Sequence, residues 1–562
     1  LKVKGLFPSE YPFTIHDTKI MAHLLRDKVP KEFLDWYEEE RKRRNKLLPK
    51  GKTYRETSGL SLKVLAPWYL KVEPFWETPG DYNNEEYNRK DCEYTYRLFQ
   101  LFEKKLKDEG SWDFYVNRML EWSKMVMDME IKGIQIDLNE LDQVEKEYLE
   151  KRETYKRKLD EQWRNHRDAY HTSQVEQLKI KYEEGARLQI ERGRTAEHKT
   201  KARYQHLFEE ACKRIEPFNY ASSQQMTWLL KEQLGLDITD PEGEETTGKS
   251  VLNRLAQERD DIKNLLEYKE ADKVLTMYIP TYRELQIDST IHPSFNLTGT
   301  RTGRTSSSGP NLQQVPSKLY RLFKPRSGYK FIQYDLSGIE AALIALYSGD
   351  KRLYDILSTG ESMHDHNAKA LFNLECDVSE VSKLFPKQRK TVKNIGFACF
   401  YGAGWRRISS VFAAGGFPIS DREAKEKLKS LKAYYPKAFE YHEEITEIFE
   451  AGEVVYNLFG RPIKMQPHEN CYMQGMNTLI QSSASDLNLR ACEKASKKWK
   501  EMGLDAYPLL VIHDCIIAEV REAHSQVASD ILVNAMTGFK LESENGLIPL
   551  RVEGSISLAW EK

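Results

Sequence analysis

The chain has 562 residues, with 85 Lys and Arg against 86 Asp and Glu for a formal net charge of -1. At about 100 to 200 residues per domain it is multidomain, and 40% hydrophobic with 11% aromatic residues supply real cores and exclude wholesale disorder. No stretch approaches the roughly 18 to 20 apolar residues of a membrane span, so no membrane partner is expected, and the balanced charge means that any basic groove must come from local segregation.

Residues 1 to 108 read as mixed α/β, with helical periodicity over 18–26 and 84–106 and a charged segment, 38–52, expected to be a solvated excursion. The opening residues, Leu1 to Leu6, lack an initiator Met and a signal-peptide core, so the chain reads as a fragment or processed product. From Trp112 to about Glu216 the pattern is helical and charged. Between Lys151 and Ile215 there are 17 Lys and Arg against 11 Asp and Glu with few large aliphatics, which predicts a projecting helical arm. Pro217 ends it, and an apolar-periodic stretch, Met226 to Leu234, follows. A loop rich in Gly, Thr and Glu, 239–248, comes next, and a second polar loop, 299–316, is dense in Thr, Ser, Gly, Arg and Gln and is a candidate binding loop. After it come a strand at 330–335, helices to about Gly452, and strands at 509–512 and 516–520. Seven cysteines without a CxxC pair form neither a disulfide framework nor a zinc site and fit a reducing compartment.

Three constellations carry chemistry. The strand ending Gln333-Tyr334 runs into Asp335, a carboxylate at a strand end, although an Asp before a helix is also an ordinary N-cap. His513-Asp514 lies between two apolar strands and reads as a tight hairpin with an acid in its turn, a place where Asp is common anyway. The dipeptide itself carries nothing, since it recurs at His16-Asp17 and His364-Asp365. Two acids on rigid strands are what a pair of divalent ions requires to activate a hydroxyl and stabilise a leaving pyrophosphate. The third constellation is Arg389, Lys393, Phe397 and Tyr401, recurring every fourth residue before Gly402. On a helix that spacing keeps all four on one broad face. The cations can bind a triphosphate, Phe397 can pack on a sugar and Tyr401 can stack on a base. The bland alternative is an amphipathic helix with core aromatics and solvated cations.

With these residues in hand the sequence resembles the bacterial DNA polymerase I group, the family A DNA polymerases. Asp335 to Glu340 is similar to that family's motif A, Arg389 to Gly402 to motif B and His513-Asp514 to motif C. Thr302 to Pro316, Phe459-Gly460-Arg461 and Asn477-x3-Gln481 resemble further signatures, and the likeness covers about residues 217 to 562. The resemblance implies a multidomain α/β right-hand polymerase, with palm, fingers and thumb, and a partial RNase H-like 3′-5′ exonuclease domain at the N-terminus. The expected bounds are 1–108 for the exonuclease part and 109–300 for the thumb, with a helical insertion at about 160–215. The palm takes 301–350 and 456–562, and the fingers 351–455.

By the family pattern Asp335 and Asp514 hold two Mg²⁺ ions, with Mn²⁺ able to substitute and the Leu336 carbonyl as a further ligand. Arg389 and Lys393 bind the triphosphate, Phe397 packs near the sugar and Tyr401 near the templating base. Glu340 blocks a ribose 2′-hydroxyl and so favours dNTPs. Arg304, Asn477, Gln481 and His513 contact primer-template DNA through sites that any correct sequence satisfies. The implied activity is template-directed addition of dNTPs to a primer 3′-hydroxyl. A single-subunit RNA polymerase and an inactive primer-template scaffold are the alternatives.

The sequence departs from the family at Cys515, where a Glu normally follows His-Asp, and at Gly338 and Ala342 in motif A. The motif A departures and the thumb insertion point to a phage source, and the location implied is the cytoplasm of a bacterium or phage-infected host, with an organelle as the other compartment open. At the N-terminus, Asp17 to Leu25 resembles a helix after the second exonuclease motif and Tyr87-x3-Asp91 the third motif, while the acids that complete that site lie upstream in the family. These 562 residues alone are therefore expected not to proofread. The arm is expected to touch duplex DNA or a processivity or replisome partner, with a solvated hairpin as the alternative.

Overall fold

The computed structural model describes residues 17–25, 31–45, 60–73, 85–191, 197–240, 243–393, 395–466 and 469–561. The chain divides into two compact units, one formed by Leu1–Asp137 with Leu285–Lys562 and the other by Leu138–Glu284.

In the first unit the described part of 1–108 forms the helices Thr18–Leu25, Lys31–Asn45, Leu62–Leu70 and Glu85–Asp108. The mixed α/β reading of this segment finds no strand among its described residues. Of the charged segment, 46–52 lies outside the described residues, but 38–45 belongs to a helix and is not an excursion. Its register explains this, because Tyr37 and Arg41 lie on one face and are 2% and 6% exposed, and Glu38 accepts from Arg41 Nε at 2.8 Å.

A four-stranded antiparallel sheet organises the rest of this unit: β1 (Tyr329–Ser337), β2 (Ala506–Ile512), β3 (Cys515–Arg521) and β4 (Arg551–Ser557), in the order β4-β1-β3-β2. Phe331 and Ile332 are both fully buried although they point to opposite faces, so β1 is covered on both sides. Tyr334 meets Ser529 hydroxyl to hydroxyl at 2.7 Å on the helix Ser525–Thr537. The 31-residue helix Cys471–Glu501 is capped by Asn470, which accepts from Met473 N at 3.0 Å. Small residues at Gly475, Ser482, Ser483, Ala484 and Ser485 allow it to be buried over much of its length.

Both ends of the expected thumb, 109–137 and 285–300, cluster with this unit, and only 138–284 form the second. Trp122, fully buried, donates to Glu493 at 3.1 Å, and Ile134 pairs with Ile291. The second unit is helical. Its core gathers Leu159, Trp163, Tyr220, Met226, Leu229 and Leu230, pinned by hydrogen bonds from Trp163 to Asp261 (3.1 Å) and from Tyr220 to Asp160 (2.7 Å). From it extend the helices Arg164–Glu191 and Glu197–Cys212, each with a single buried residue, Ala186 and Thr200. No helix among the described residues is long and apolar enough to cross a membrane.

Candidate active site

β1 and β3 bring the two acids together. Cys515 pairs opposite Asp335, and Leu336 N donates to the Asp514 carbonyl at 3.1 Å, so Asp514 sits one residue beyond the paired end of β3. Ile512 pairs with Cys515, which leaves His513-Asp514 as a two-residue turn. His513 has φ +53°, the left-handed conformation that such turns demand at their first position. For a residue with a Cβ this costs about 1–2 kcal/mol, and Asn488 Nδ2 steadies the turn by donating to the His513 carbonyl at 3.1 Å.

Asp514 Oδ1 is buried without a hydrogen-bond partner. Burial, with the charges of Glu340 and Asp335 and against the pull of Arg304, pushes this carboxyl up to about 7. A buried carboxylate beside another acid, with an oxygen unspent on the protein, gains most from a cation, which offsets the desolvation and the like-charge repulsion together. Asp335 and Asp514 therefore fit divalent ions. Among the described residues no three His, Cys, Asp or Glu side chains converge on one such point.

Glu340 stands on the helix Ile339–Ser348, which starts after Gly338 (φ +68°) and ends at Gly349 (φ +64°). It accepts from Tyr401 OH at 2.8 Å and from Arg304 Nη2 at 3.2 Å. Burial, and then the Glu340 charge, hold the Tyr401 phenol well above its usual range, so it stays a donor. Gly402 follows with φ +91°, and a Cβ there would lie 2.9 Å from the Tyr472 ring.

The every-fourth-residue set is not on one uninterrupted described helix. Arg389 is on Pro386–Val392, Lys393 keeps helical angles (φ -48°, ψ -39°), Phe397 is on Ile395–Phe400, and Asn394 lies outside the described residues. Tyr401 lies just past the second helix, its N–H still bonded to the Phe397 carbonyl at 3.0 Å. Arg389 is not a lone cation on a helix face. Its Nε bonds Asp365 and its Nη2 donates to Ser362 Oγ at 3.4 Å. Beside it, His364 packs edge-on to Phe397 with ring centroids 6.0 Å apart. Burial and the neighbouring Arg389 and Lys393 lower its imidazole to about 4, so it is neutral at pH 7. As a dipeptide His364-Asp365 is uninformative. What marks the pair is the packing of Met363–Phe372 against Pro386–Val392, which no local pattern encodes.

Asn477 and Gln481 lie one turn apart on Cys471–Glu501, both partly buried. Arg301, in the polar loop, ties that loop to the start of the helix by donating to Gln474 at 2.6 Å and Glu469 at 3.0 Å. Far along the chain, Tyr87 and Asp91 share one partner that the sequence did not indicate. Lys63, 8% exposed, bonds Asp91 through its Nζ, which also lies 4.1 Å from the centre of the Tyr87 ring.

Residues 191–562 match DNA polymerase family A. The chain is 26% identical over 531 residues to DNA polymerase I of Borreliella burgdorferi, covering 90% of this chain and 51% of that protein. It is 30% identical over 365 residues to DNA polymerase I of Caldicellulosiruptor bescii (61% of this chain, 41% of that protein). It is 28% identical over 363 residues to the thermostable DNA polymerase I of Thermus aquaticus (61% and 42%). The chain thus spans about half the length of the curated relatives it matches. Among solved structures, the POL domain of Pol1 from M. smegmatis, in complex with DNA primer-template and dNTP, aligns with a TM-score of 0.71 at 20% identity, over 97% of this chain and 81% of that one. The fold is therefore that of the palm, fingers and thumb class that the motifs implied, and the chain belongs to DNA polymerase family A.

Proposed function

We propose that the chain is a template-directed DNA polymerase that joins a dNTP to a primer 3′-hydroxyl and releases pyrophosphate. The observation that carries this reading is the meeting of Asp335 and Asp514 at the joined ends of β1 and β3, with Asp514 Oδ1 buried and without a hydrogen-bond partner. Asp335 and Asp514, with the Leu336 carbonyl, would hold two Mg²⁺ ions, and Mn²⁺ would be accepted in their place. When bound there, such ions supply a more acidic hydroxyl and charge neutralisation at the leaving group.

The remaining work falls to side chains that bind, orient and select. Arg389, fixed by Asp365 and Ser362, and Lys393 attract the triphosphate, while neutral His364 offers a hydrogen-bond donor beside them. Phe397 packs on the sugar. Glu340, held between Tyr401 and Arg304, occupies the space a 2′-hydroxyl needs, and Tyr401 borders the templating base. Arg304, Asn477, Gln481 and His513 face the primer-template duplex. Asp91, of the segment that resembled the third exonuclease motif, is ion-paired with Lys63, and the proposed activity of this chain is polymerisation without proofreading. The arm would add a processivity or replisome contact. The cytoplasm of a bacterium or of a phage-infected host is the proposed setting.

The test is extension of a labelled primer on a DNA template with Mg²⁺ and dNTPs, beside Asp514→Ala and a mismatched 3′ end. Extension by the wild type, its loss in the variant and no shortening of the mismatched primer are expected. Primer-template binding without extension would replace the polymerase by the scaffold, and equal use of rNTPs would point to RNA synthesis.

A further inference from the structure

Asp335 has a different neighbour on each side of it in the sheet. It pairs directly with Cys515 on β3 and directly with Glu553 on β4. Residues directly opposed in antiparallel strands project from the same face with Cβ atoms about 4.5–5.5 Å apart. Cys515, Asp335 and Glu553 therefore form one row across three strands, with a thiol on one flank of the acid and a carboxylate on the other. Ser337, two residues further along β1 and so on the same face, donates to Glu553 Oε1 at 3.1 Å. That bond draws the carboxylate toward the end of β1 where the Asp514 carbonyl meets Leu336 N.

Two carboxylates leave a pair of divalent cations far from neutralised, and hard ions such as Mg²⁺ and Mn²⁺ take oxygen ligands in preference to a thiol. Cys515 is thus a poor complement to Asp335, and Glu553 a good one. We propose that Glu553 is the third carboxylate of the cation site, supplied by β4 on the flank opposite Cys515. This rests on the polymerase reading above. In the structure the Glu553 carboxylate is held by Ser337 and does not converge with Asp335 and Asp514 on one point; because Glu553 is exposed, rotation about its own side-chain bonds would bring it to the site while the sheet stays fixed.

The experiment is Mn²⁺ binding to the full chain with primer-template DNA, followed by electron paramagnetic resonance, for wild type, Asp514→Asn, Glu553→Gln and the double variant Cys515→Glu/Glu553→Gln. Loss of a group that supports metal ligands commonly weakens binding by about 10- to 100-fold, and a drop of that size is expected for Glu553→Gln. The Mg²⁺ concentration giving half-maximal extension should rise in parallel. Placing an acid on the other flank with Cys515→Glu should bring the affinity back toward wild type. If Asp514→Asn loses Mn²⁺ while Glu553→Gln keeps it, Glu553 has no part in the site and the polymerase reading stands. If Asp514→Asn binds as wild type does, the cation site itself is misplaced. Weak binding by Glu553→Gln that Cys515→Glu does not restore would assign the loss to the sheet and overturn the proposal.

Discussion

Arg461 and Asp486 are 1% and 0% exposed and share two short bonds, Nε to Oδ2 at 2.9 Å and Nη2 to Oδ1 at 2.7 Å. Asn457 Nδ2 adds a third bond to the carboxylate at 2.7 Å. A Cβ on Gly303 would lie 2.8 Å from the Arg461 guanidinium carbon, so the polar loop that carries Arg304 is seated on this pair. Removing one partner leaves a charge buried alone, which costs about 3–5 kcal/mol. Asp486→Asn and Arg461→Met should each lower the urea midpoint accordingly, and the double variant should lose less than the sum of the two. A milder, pH-dependent contribution comes from Asp505, which accepts from Tyr329 OH at 2.6 Å and Arg521 Nε at 2.8 Å. The Tyr329 bond and then Arg521, against burial, lower this carboxyl to about 2. Its folded value lies below its unfolded one, so the stabilisation is complete above the ordinary carboxylate range near 4 and is lost as pH falls toward 2. Asp505→Asn should be less stable than wild type at pH 6, and the gap should close between pH 4 and pH 2 in urea titrations.

The elements were legible where a local pattern has one physical solution. Apolar runs at 509–512 and 516–520, separated by a short polar pair, can be buried together only as paired strands, and the structure has β2 and β3 there. The strand ahead of Asp335 was readable for the same reason. Periodicity states which face a residue occupies but not which distant residue meets it. Hence Asp365 on Arg389, Lys63 on Asp91 and Glu553 beside Asp335 could not be read in advance. Spacing also says nothing of how a helix ends, and Tyr401 lies just past one. There Gly402 is needed on two counts, its φ of +91° and the Tyr472 ring 2.9 Å from where a Cβ would be. Gly402→Ala should cost about 1–2 kcal/mol from the left-handed backbone alone. Adding Tyr472→Ala should recover only the part due to the clash, as differential scanning calorimetry of the two variants would report. Full recovery would show that the backbone conformation carries no cost.

At the scale of the whole chain, the two units differ in how much of their mass serves a core. In the second unit the pattern of 151–215, many cations and few aliphatics, foretold helices with little to bury, and Ala186 and Thr200 are the only buried residues of the two arm helices. The arm meets the core of its own unit at its base, where Tyr170 packs on Phe218 and Trp228 with ring centroids 5.2 and 5.0 Å apart. Further out, Tyr182 touches Tyr204 and Phe208 at 6.5 Å each, and both pairings are internal to the hairpin. Replacing 176–212 by a short Gly-Ser linker keeps the base and removes only what the hairpin makes with itself. The thermal midpoint of the remaining chain should therefore stay within about 2–4 °C of wild type, a shift worth roughly 1 kcal/mol in a domain of 150 to 250 residues. A cationic arm that holds DNA acts through phosphates, and the fewer phosphates a protein neutralises, the shallower the salt dependence of its binding. The deletion should thus shorten the product made per binding event, measured with a DNA trap, and flatten the dependence of primer-template affinity on salt. An unchanged product length would remove the arm from DNA holding, and a shorter product with an unchanged salt slope would locate its effect away from the phosphates.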